Sequence, residues 1–554
     1  MKKHKLIILF FIFALGAFFR FYLINRIPFG LYPDEAMNGN NALEALATND
    51  FNVFYPENNG REGLFMNIQA LSIAVFGREP WALRIVSGLF GTFTILGIFL
   101  VTRELFFRHK IKKTRASRVS IALLSSFFLA TSYWHINFSR IGFRAIMVPF
   151  FTVFSLFFLL KGLRTKRTLT LVYAGIFTGL GFYSYIAYRF FIFVLAIPLL
   201  AELFLYVRQR KYKTKTEEKS DMGAISCRPC AVFLFLFITF VTALPIGLYF
   251  LRNPQDFIGR GSQISVFSTA TPMKEFIAST IKTAGMFFVR GDCNWRHNFN
   301  CAPEVAWPVA LFLVFGFIAI GRDFIKRKEC VVPLTLVGWF IFLSFPATLT
   351  WEGIPHALRS IGMIPPVMII AAYGAWRFIK IPLNWFEKNK TKFPDKIPQL
   401  NRIQKEVKIL FSILLLFMPV AAFHTYFSVW SDRPETYNAF ASDLYHLALY
   451  LDKKPADATG YIVANLPGTD VRGIPMPAQS VMFITDTFRP EQQAARHIFY
   501  VTPDHIDAIQ YKKGEKIMIT LLNGLDAKLV SAAGKRFPDL HATAPSDFIT
   551  LQNY

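Results

Sequence analysis

The feature that most limits what this chain can fold into is a series of long blocks that are apolar on every side. They fall at about 6–25, 82–106, 119–136, 144–160, 168–187, 190–207, 231–250, 306–320, 332–349, 361–379 and 409–428. Most blocks have roughly the 18–22 residues that a helix needs to cross a hydrocarbon core about 30 Å thick. A helix of a soluble protein carries its apolar residues as one stripe, whereas these blocks show no polar face. Hydrophobic residues make up 53% of the 554, and 62 are phenylalanine. The pattern predicts a polytopic α-helical membrane protein with about 11 transmembrane helices and excludes a soluble fold. Lys2, Lys3 and Lys5 precede the first block, as in a signal peptide. The block is too long for such a segment and no small-residue cleavage site follows, so it is expected to stay as an anchor.

Charge then orients the chain. The formal net charge is +25, which by itself also fits a nucleic-acid partner. Its distribution argues against one. Lysine and arginine crowd into alternate loops, at 108–118, 161–167, 208–219, 322–328 and 380–408. This is the positive-inside bias, and it predicts a cytoplasmic N-terminus and an odd number of spans in a cytoplasmic membrane. Residues 28–80, 137–143, 252–305, 350–360 and all those after about 429 then face outward. The alternation also supports two spans at 168–207, where Tyr185–Arg189 alone separates the halves. Cys293 and Cys301 share an outward loop and can pair in an oxidising compartment. Cys227 and Cys230 have redox-motif spacing without a thioredoxin-like context and are expected to be two inert thiols.

Two domains are expected: a membrane domain over 1–429, with large outward loops at 28–80 and 252–305, and an extracytoplasmic α/β domain over 430–554. Proline followed by two acidic residues predicts a helix starting near residue 33. Leu64–Phe76 predicts a second helix, too short and too polar to span, at the membrane interface. In the tail, Ser442–Leu451 is predicted as an amphipathic helix and Pro503–Gln510 as helical. Strands are predicted at Tyr461–Ala464, Val481–Thr485, His497–Val501 and Lys516–Thr520. No glycine-rich phosphate loop and no internal repeat is present.

Five charged or aromatic clusters lie on the outward side. Asp34 and Glu35 follow the first span, where a carboxylate is costly to dehydrate and has a job or a partner. They serve either as helix-start acids, worth up to about 1 kcal/mol, or as catalytic carboxylates that accept a proton from an incoming nucleophile. Arg61 and Glu62, between Gly60 and Gly63, orient a phosphate or hydroxyl or form an ordinary turn salt bridge. Arg140 and Arg144 suit an anionic headgroup or pyrophosphate, or anchor a span by snorkelling. His356 and Arg359 precede the tenth span, where the helix start favours an anion and disfavours an arginine without one. In Gly181–Arg189 most aromatics belong to the interfacial belt, and Tyr185 and Arg189 remain as cavity-wall candidates. No histidine pair has zinc-ligand spacing, so a metal has no support in the sequence.

Together these residues resemble the polyprenyl-phosphate-sugar-dependent membrane glycosyltransferases of the GT-C superfold. Within it they are similar to bacterial members of the dolichyl-phosphate-mannose protein mannosyltransferase family, with the lipid A aminoarabinose transferases as cousins. The matching runs are Pro33-Asp-Glu-Ala36, Asn59-Gly-Arg-Glu-Gly63, Trp81-Ala-Leu-Arg84 with Thr102-Arg-Glu-Leu-Phe106, Trp134-His135 with Phe138-Ser-Arg140, and His356-Ala-Leu-Arg-Ser360. They occur in the family's order over most of the first 380 residues, and the tail matches loosely. The resemblance implies a cavity open to the outer leaflet, roofed by the first outward loop. It implies that Asp34, with Glu35 as helper, deprotonates or orients an acceptor hydroxyl. A lipid monophosphate donor gives up its sugar by direct displacement with inversion, and Arg359, helped by Arg140 or Arg144, holds the leaving phosphate. Glu62 matches less closely, since many members carry a proline-rich segment there. No cofactor or metal is required; the partners are the polyprenyl-phosphate sugar, a protein, lipid or glycan acceptor and membrane lipids, with no nucleic acid.

Two other readings remain at this stage. A transporter or lipid flippase with a charged outward cavity predicts ionisable residues in mid-span, where phenylalanine, leucine and isoleucine dominate. A lipid-binding relative without catalysis predicts loss of the acidic residue that Asp34 retains. The sugar and the acceptor are not specified by these motifs.

Overall fold

A computed structural model describes residues 3–108, 115–211, 225, 227–327, 330–512, 514–544 and 548–554. Parts of the expected basic loops at 108–118, 208–219 and 322–328 lie outside these residues. A helix occupies each of the eleven apolar blocks, because a run of that length satisfies its backbone in lipid only by closing its own hydrogen bonds. Nine helices are long and apolar enough to cross a membrane among the described residues: Lys3–Phe21, Pro80–Phe107, Arg144–Thr165, Ile186–Arg208, Arg228–Arg252, Trp307–Lys326, Val331–Thr348, Ile361–Lys392 and Pro394–Asp432. The other two blocks form shorter helices, Arg115–Ala130 and Thr168–Gly181. The chain is thus a multi-pass membrane protein.

The chain divides into two compact units. The first comprises Met1–Tyr22, Ser87–Arg140 and Arg144–Val429. Its helices pack through small residues and paired charges. Gly316 and Gly374 face each other across the helices Trp307–Arg327 and Ile364–Lys392, and a Cβ on either would strike the opposite backbone. Close backbone approach through glycine is a usual way for helices to associate in lipid. Arg164 pairs with Glu104, Arg228 with Glu202, and Arg377 with Asp323, so each of these acids has a cation.

The second unit comprises Leu23–Val86, Ile141–Phe143 and Trp430–Tyr554. This differs from the expected division, which kept the whole loop 28–80 with the membrane helices. The reason is a shared core: Leu31, Met37, Ala70 and Leu83 pack with Leu447, Ile462, Phe483 and Met518. The loop forms the helices Pro33–Thr48 and Leu64–Phe76 and two short antiparallel strands, β1 (Phe54–Tyr55) and β2 (Arg61–Glu62). Leu71, Val75 and Phe76 on the second helix are exposed.

The tail contributes β3 (Thr459–Val463), the antiparallel pair β4 (Asp470–Val471) and β5 (Ile474–Pro475), β6 (Ile498–Val501), β7 (Ile517–Leu521), β8 (His541–Thr543) and β9 (Thr550–Gln552). The five-stranded sheet runs β6-β3-β7-β9-β8, with β3 parallel to β6 and β7, and β9 antiparallel to β7 and β8. One face meets the shared core, and the other is covered by the helix Ala527–Arg536 through Ala533 with Phe537. The expected strand at 481–485 is instead part of a helix, Gln479–Thr485. All seven of its residues are buried, and Phe483 lies against Gly39 of the first loop helix. Apolar residues enclosed on all sides carry no period that separates strand from helix.

Candidate active site

In the second unit, Pro33 opens the helix Pro33–Thr48 and places Asp34 and Glu35 in its first turn. The two acids have opposite surroundings. Asp34 is half-buried, and its Oδ1 accepts a hydrogen bond from Asn58 Nδ2. Glu35 is fully buried against Arg84, whose Nε and Nη2 reach its two oxygens at 3.0 and 3.1 Å. Gly142 N–H donates to Glu35 Oε1 at 2.6 Å, and Arg84 also donates to the carbonyls of Pro28 and Gly30 at 2.6 and 2.7 Å. A carboxylate held in this way by a guanidinium fork and a backbone amide is an anchor. Its geometry does not fit the catalytic role expected of Glu35, whereas Asp34 keeps an accessible edge.

The turn between β1 and β2 brings Asn58 to Asp34. Asn58, Asn59 and Gly60 all have positive φ, at 51, 61 and 84°. Asparagine and glycine are the residues that adopt this left-handed region with least strain. Arg61 and Glu62 follow, both buried. Arg61 donates to Asn38 Oδ1 at 2.9 Å and to Asn41 Oδ1, and Asn38 donates in turn to Gly142 O at 3.0 Å. Their burial does not suit the substrate contacts expected of Arg61 and Glu62. Arg61 instead ties the turn to the helix that bears Asp34.

In the first unit, Arg140 is completely buried. Its Nη1 donates to Phe19 O at 3.0 Å, and its guanidinium lies over the rings of Tyr426 and Phe427. This burial replaces the expected phosphate contact with a packing role. Arg144 is half-buried and sits over the Tyr185 ring at 5.2 Å, so these two expected residues do meet. Arg189 donates to Phe257 O at 2.7 Å and covers the Phe250 and Phe257 rings. Arg359 bonds Thr350 Oγ1 at 2.9 Å and Glu352 O at 2.7 Å, with Glu352 Oε2 at 3.5 Å.

His356 belongs to a cluster that the spacing of the sequence hides. Asp292 Oδ2 accepts from His297 Nδ1 at 2.9 Å and from Ala357 N at 2.8 Å, and lies 3.8 Å from His356 Nδ1. One donor atom from each of Asp292, His297 and His356 falls within 4.8 Å of the others, a set able to take a divalent cation. Burial pushes the His297 imidazole below its usual value, against the pull of Asp292. The loop around the cluster is closed by a Cys293–Cys301 disulfide. Cys227 and Cys230 are also bonded, contrary to the expected free thiols; their Cα atoms, 5.2 Å apart, are within bridging range. A cavity of 670 Å³ adjoins the cluster, lined by Lys282, Arg290 and His356 and by the apolar Ile281, Val289 and Ile354.

Sequence reasoning missed Asn58, Arg84 and the Asp292–His297 pair as site-forming residues. Arg84 stood in a matching run without a role, and Asn58 stood in the turn ahead of Arg61 and Glu62, where those two charged residues drew the reading. Nothing local marks Asp292.

Residues 64–234 match the family model described as dolichyl-phosphate-mannose-protein mannosyltransferase. No curated protein matches the chain in sequence. Among solved structures it is similar to ArnT from Cupriavidus metallidurans bound to undecaprenyl phosphate, at 13% identity and a TM-score of 0.56, over 100% of this chain and 99% of that one. The apo form of the same protein gives 14% identity and a TM-score of 0.57, over 98% of each chain. The chain has the fold of ArnT, and its residues 64–234 match the mannosyltransferase family model.

Proposed function

We propose that this glycosyltransferase moves a sugar from a polyprenyl-phosphate donor to an acceptor hydroxyl on the outer face of the cytoplasmic membrane, by inverting displacement. The observation that carries the reading is the split between Asp34 and Glu35. One carboxylate is fixed by an arginine, and its neighbour is left half-buried with an amide donor beside it. An acidic group in that setting can take the acceptor proton as the new bond forms. The charge pattern of the loops supports the outward placing of this carboxylate. The donor class is supported by the ArnT structure with undecaprenyl phosphate, and by a cavity that joins Lys282 and Arg290 to apolar side chains. An anionic head on an isoprenoid chain has that mixed chemistry. Arg144 and Arg359, partly exposed, are the proposed phosphate contacts, with Arg140 excluded by its burial.

The test is turnover of polyprenyl-phosphate sugars by the purified protein, compared with Asp34→Asn. The expected loss is about 10²-fold or more, the usual contribution of a general base. Unchanged donor turnover would overturn the assignment. The displacement requires no metal, so chelation with EDTA is expected to leave the rate unchanged. Loss of activity on chelation, restored by a divalent cation, would give the Asp292–His297–His356 cluster a part in the reaction.

A further inference from the structure

The second unit contains a chain of polar contacts that begins in the tail and ends beside Asp34. Arg472 lies between β4 and β5, at a left-handed backbone position with φ of 55°. Its guanidinium forks onto both oxygens of Glu44 at 2.8 Å, and its Nε donates to Glu57 Oε1 at 2.7 Å. The second oxygen of Glu57 accepts from Asn41 Nδ2 at 3.0 Å, and Asn41 accepts from Arg61. Glu57 also opens the left-handed turn: its carbonyl accepts from Gly60 N at 3.2 Å and from Arg61 Nε at 3.4 Å. The next residue is Asn58, which donates to Asp34. Glu44 sits in the helix that Asp34 begins.

We infer that Arg472 is a positioning residue for the reaction: by gripping Glu44 and Glu57 together, it sets the Asn58 amide on the Asp34 carboxylate. The inference rests on the proposed role of Asp34. The physical argument is geometric. The turn 57–61 has three consecutive residues in the left-handed region and is closed by the backbone bond from Gly60 N to Glu57 O. Its register against the helix Pro33–Thr48 is set by two side-chain links, Glu57–Asn41 and Arg61–Asn41 with Asn38. Arg472 holds Glu57, at the start of the first link, through Nε while its terminal nitrogens fork onto Glu44, a three-bond grip that lysine cannot reproduce. The Asn58 amide orients the Asp34 carboxylate, so loosening it misplaces the group that takes the proton. Arg472 is partly exposed, so its contribution to global stability is small, and its effect appears in the rate.

The experiment compares Arg472→Ala, Arg472→Lys and Asn58→Ala with the full-length wild type, using polyprenyl-phosphate sugar and measuring kcat and KM. Arg472→Ala is expected to lower kcat about tenfold, with donor KM little changed, since small displacements of a catalytic group are costly. Arg472→Lys should recover part of the rate, and the double variant of Arg472→Ala with Asn58→Ala should show less than the product of the two single effects. A kcat equal to wild type in Arg472→Ala, a loss carried by KM instead, or independent effects of the two changes overturns the inference. Should Arg472→Ala fail to fold, Glu57→Gln tests the same link. If Asp34→Asn retains turnover, the proposed function itself fails; if Asp34→Asn is inactive and Arg472→Ala is normal, only this inference does.

Discussion

The loops 28–80 and 252–305 each bury a glutamate, and they surround it in opposite ways. Glu35 lies in the first loop with Arg84 on both oxygens and a backbone amide on one. Glu304 lies in the second, where Asp292 N donates to Oε1 at 2.8 Å and Oε2 has no hydrogen-bond partner among the described residues. Burial, with Asp292 nearby, pushes the Glu304 carboxyl well above the usual carboxylate range. The difference lies in the donors: a guanidinium fork and a backbone amide on Glu35, a single backbone amide on Glu304. The first loop therefore contains a fixed ionic anchor beside an accessible carboxylate, a division of labour between adjacent residues. The second presents a buried acid, pushed above the usual carboxylate range, and a His–Asp cluster inside a disulfide-closed turn.

The comparison breaks most visibly at Arg84. Arg84→Ala leaves Glu35 buried without a cation and leaves the carbonyls of Pro28 and Gly30 without their donor. Removing one partner of a buried pair costs about 3–5 kcal/mol. The expected result is a large fall in the melting temperature in detergent, with rapid proteolysis of the first loop. Replacing both residues, as in Glu35→Gln with Arg84→Met, should recover much of the loss, since no charge is then stranded. A single Arg84→Ala variant as stable as wild type would show that Glu35 is not the anchor described.

How much of this was legible in the sequence follows from the distance over which each signal acts. The transmembrane helices were legible because a single run of about twenty apolar residues carries its own evidence. So were β3, β6 and β7, whose short apolar runs stand between turns. β8 and β9 were not, since three residues show no usable alternation. Asp34 could be singled out by its place after a span, but its separation from Glu35 could not. That separation depends on Arg84, 49 positions downstream of Glu35, and on Asn58, 24 positions from Asp34. The Asp292–His356 approach joins residues 64 positions apart, and the Ala357 amide that donates to the same carboxylate lies 65 positions from Asp292. The shared core of the first loop and the tail was hidden for the same reason, because hydrophobic pattern identifies a buried face without naming what covers it.

The smallest effect sharpens the same contrast from the side of the second loop. A carboxyl whose pKa is higher in the folded than in the unfolded protein binds more protons when folded. Its contribution to stability is therefore complete below its unfolded value, near 4.5, and is lost progressively as pH rises through the folded value. Glu304 has this sign. Glu304→Gln keeps an oxygen for Asp292 N and cannot ionise, so it removes the loss on the alkaline side. Melting temperatures of wild type and Glu304→Gln, measured across acid to mildly alkaline pH, are expected to agree at the acid end and separate as pH rises, with the variant higher. His297, held neutral by burial, titrates alike in both proteins and drops out of the difference. Curves that run parallel throughout would mean that Glu304 is ionised in the folded loop, and the two loops would then differ only in geometry.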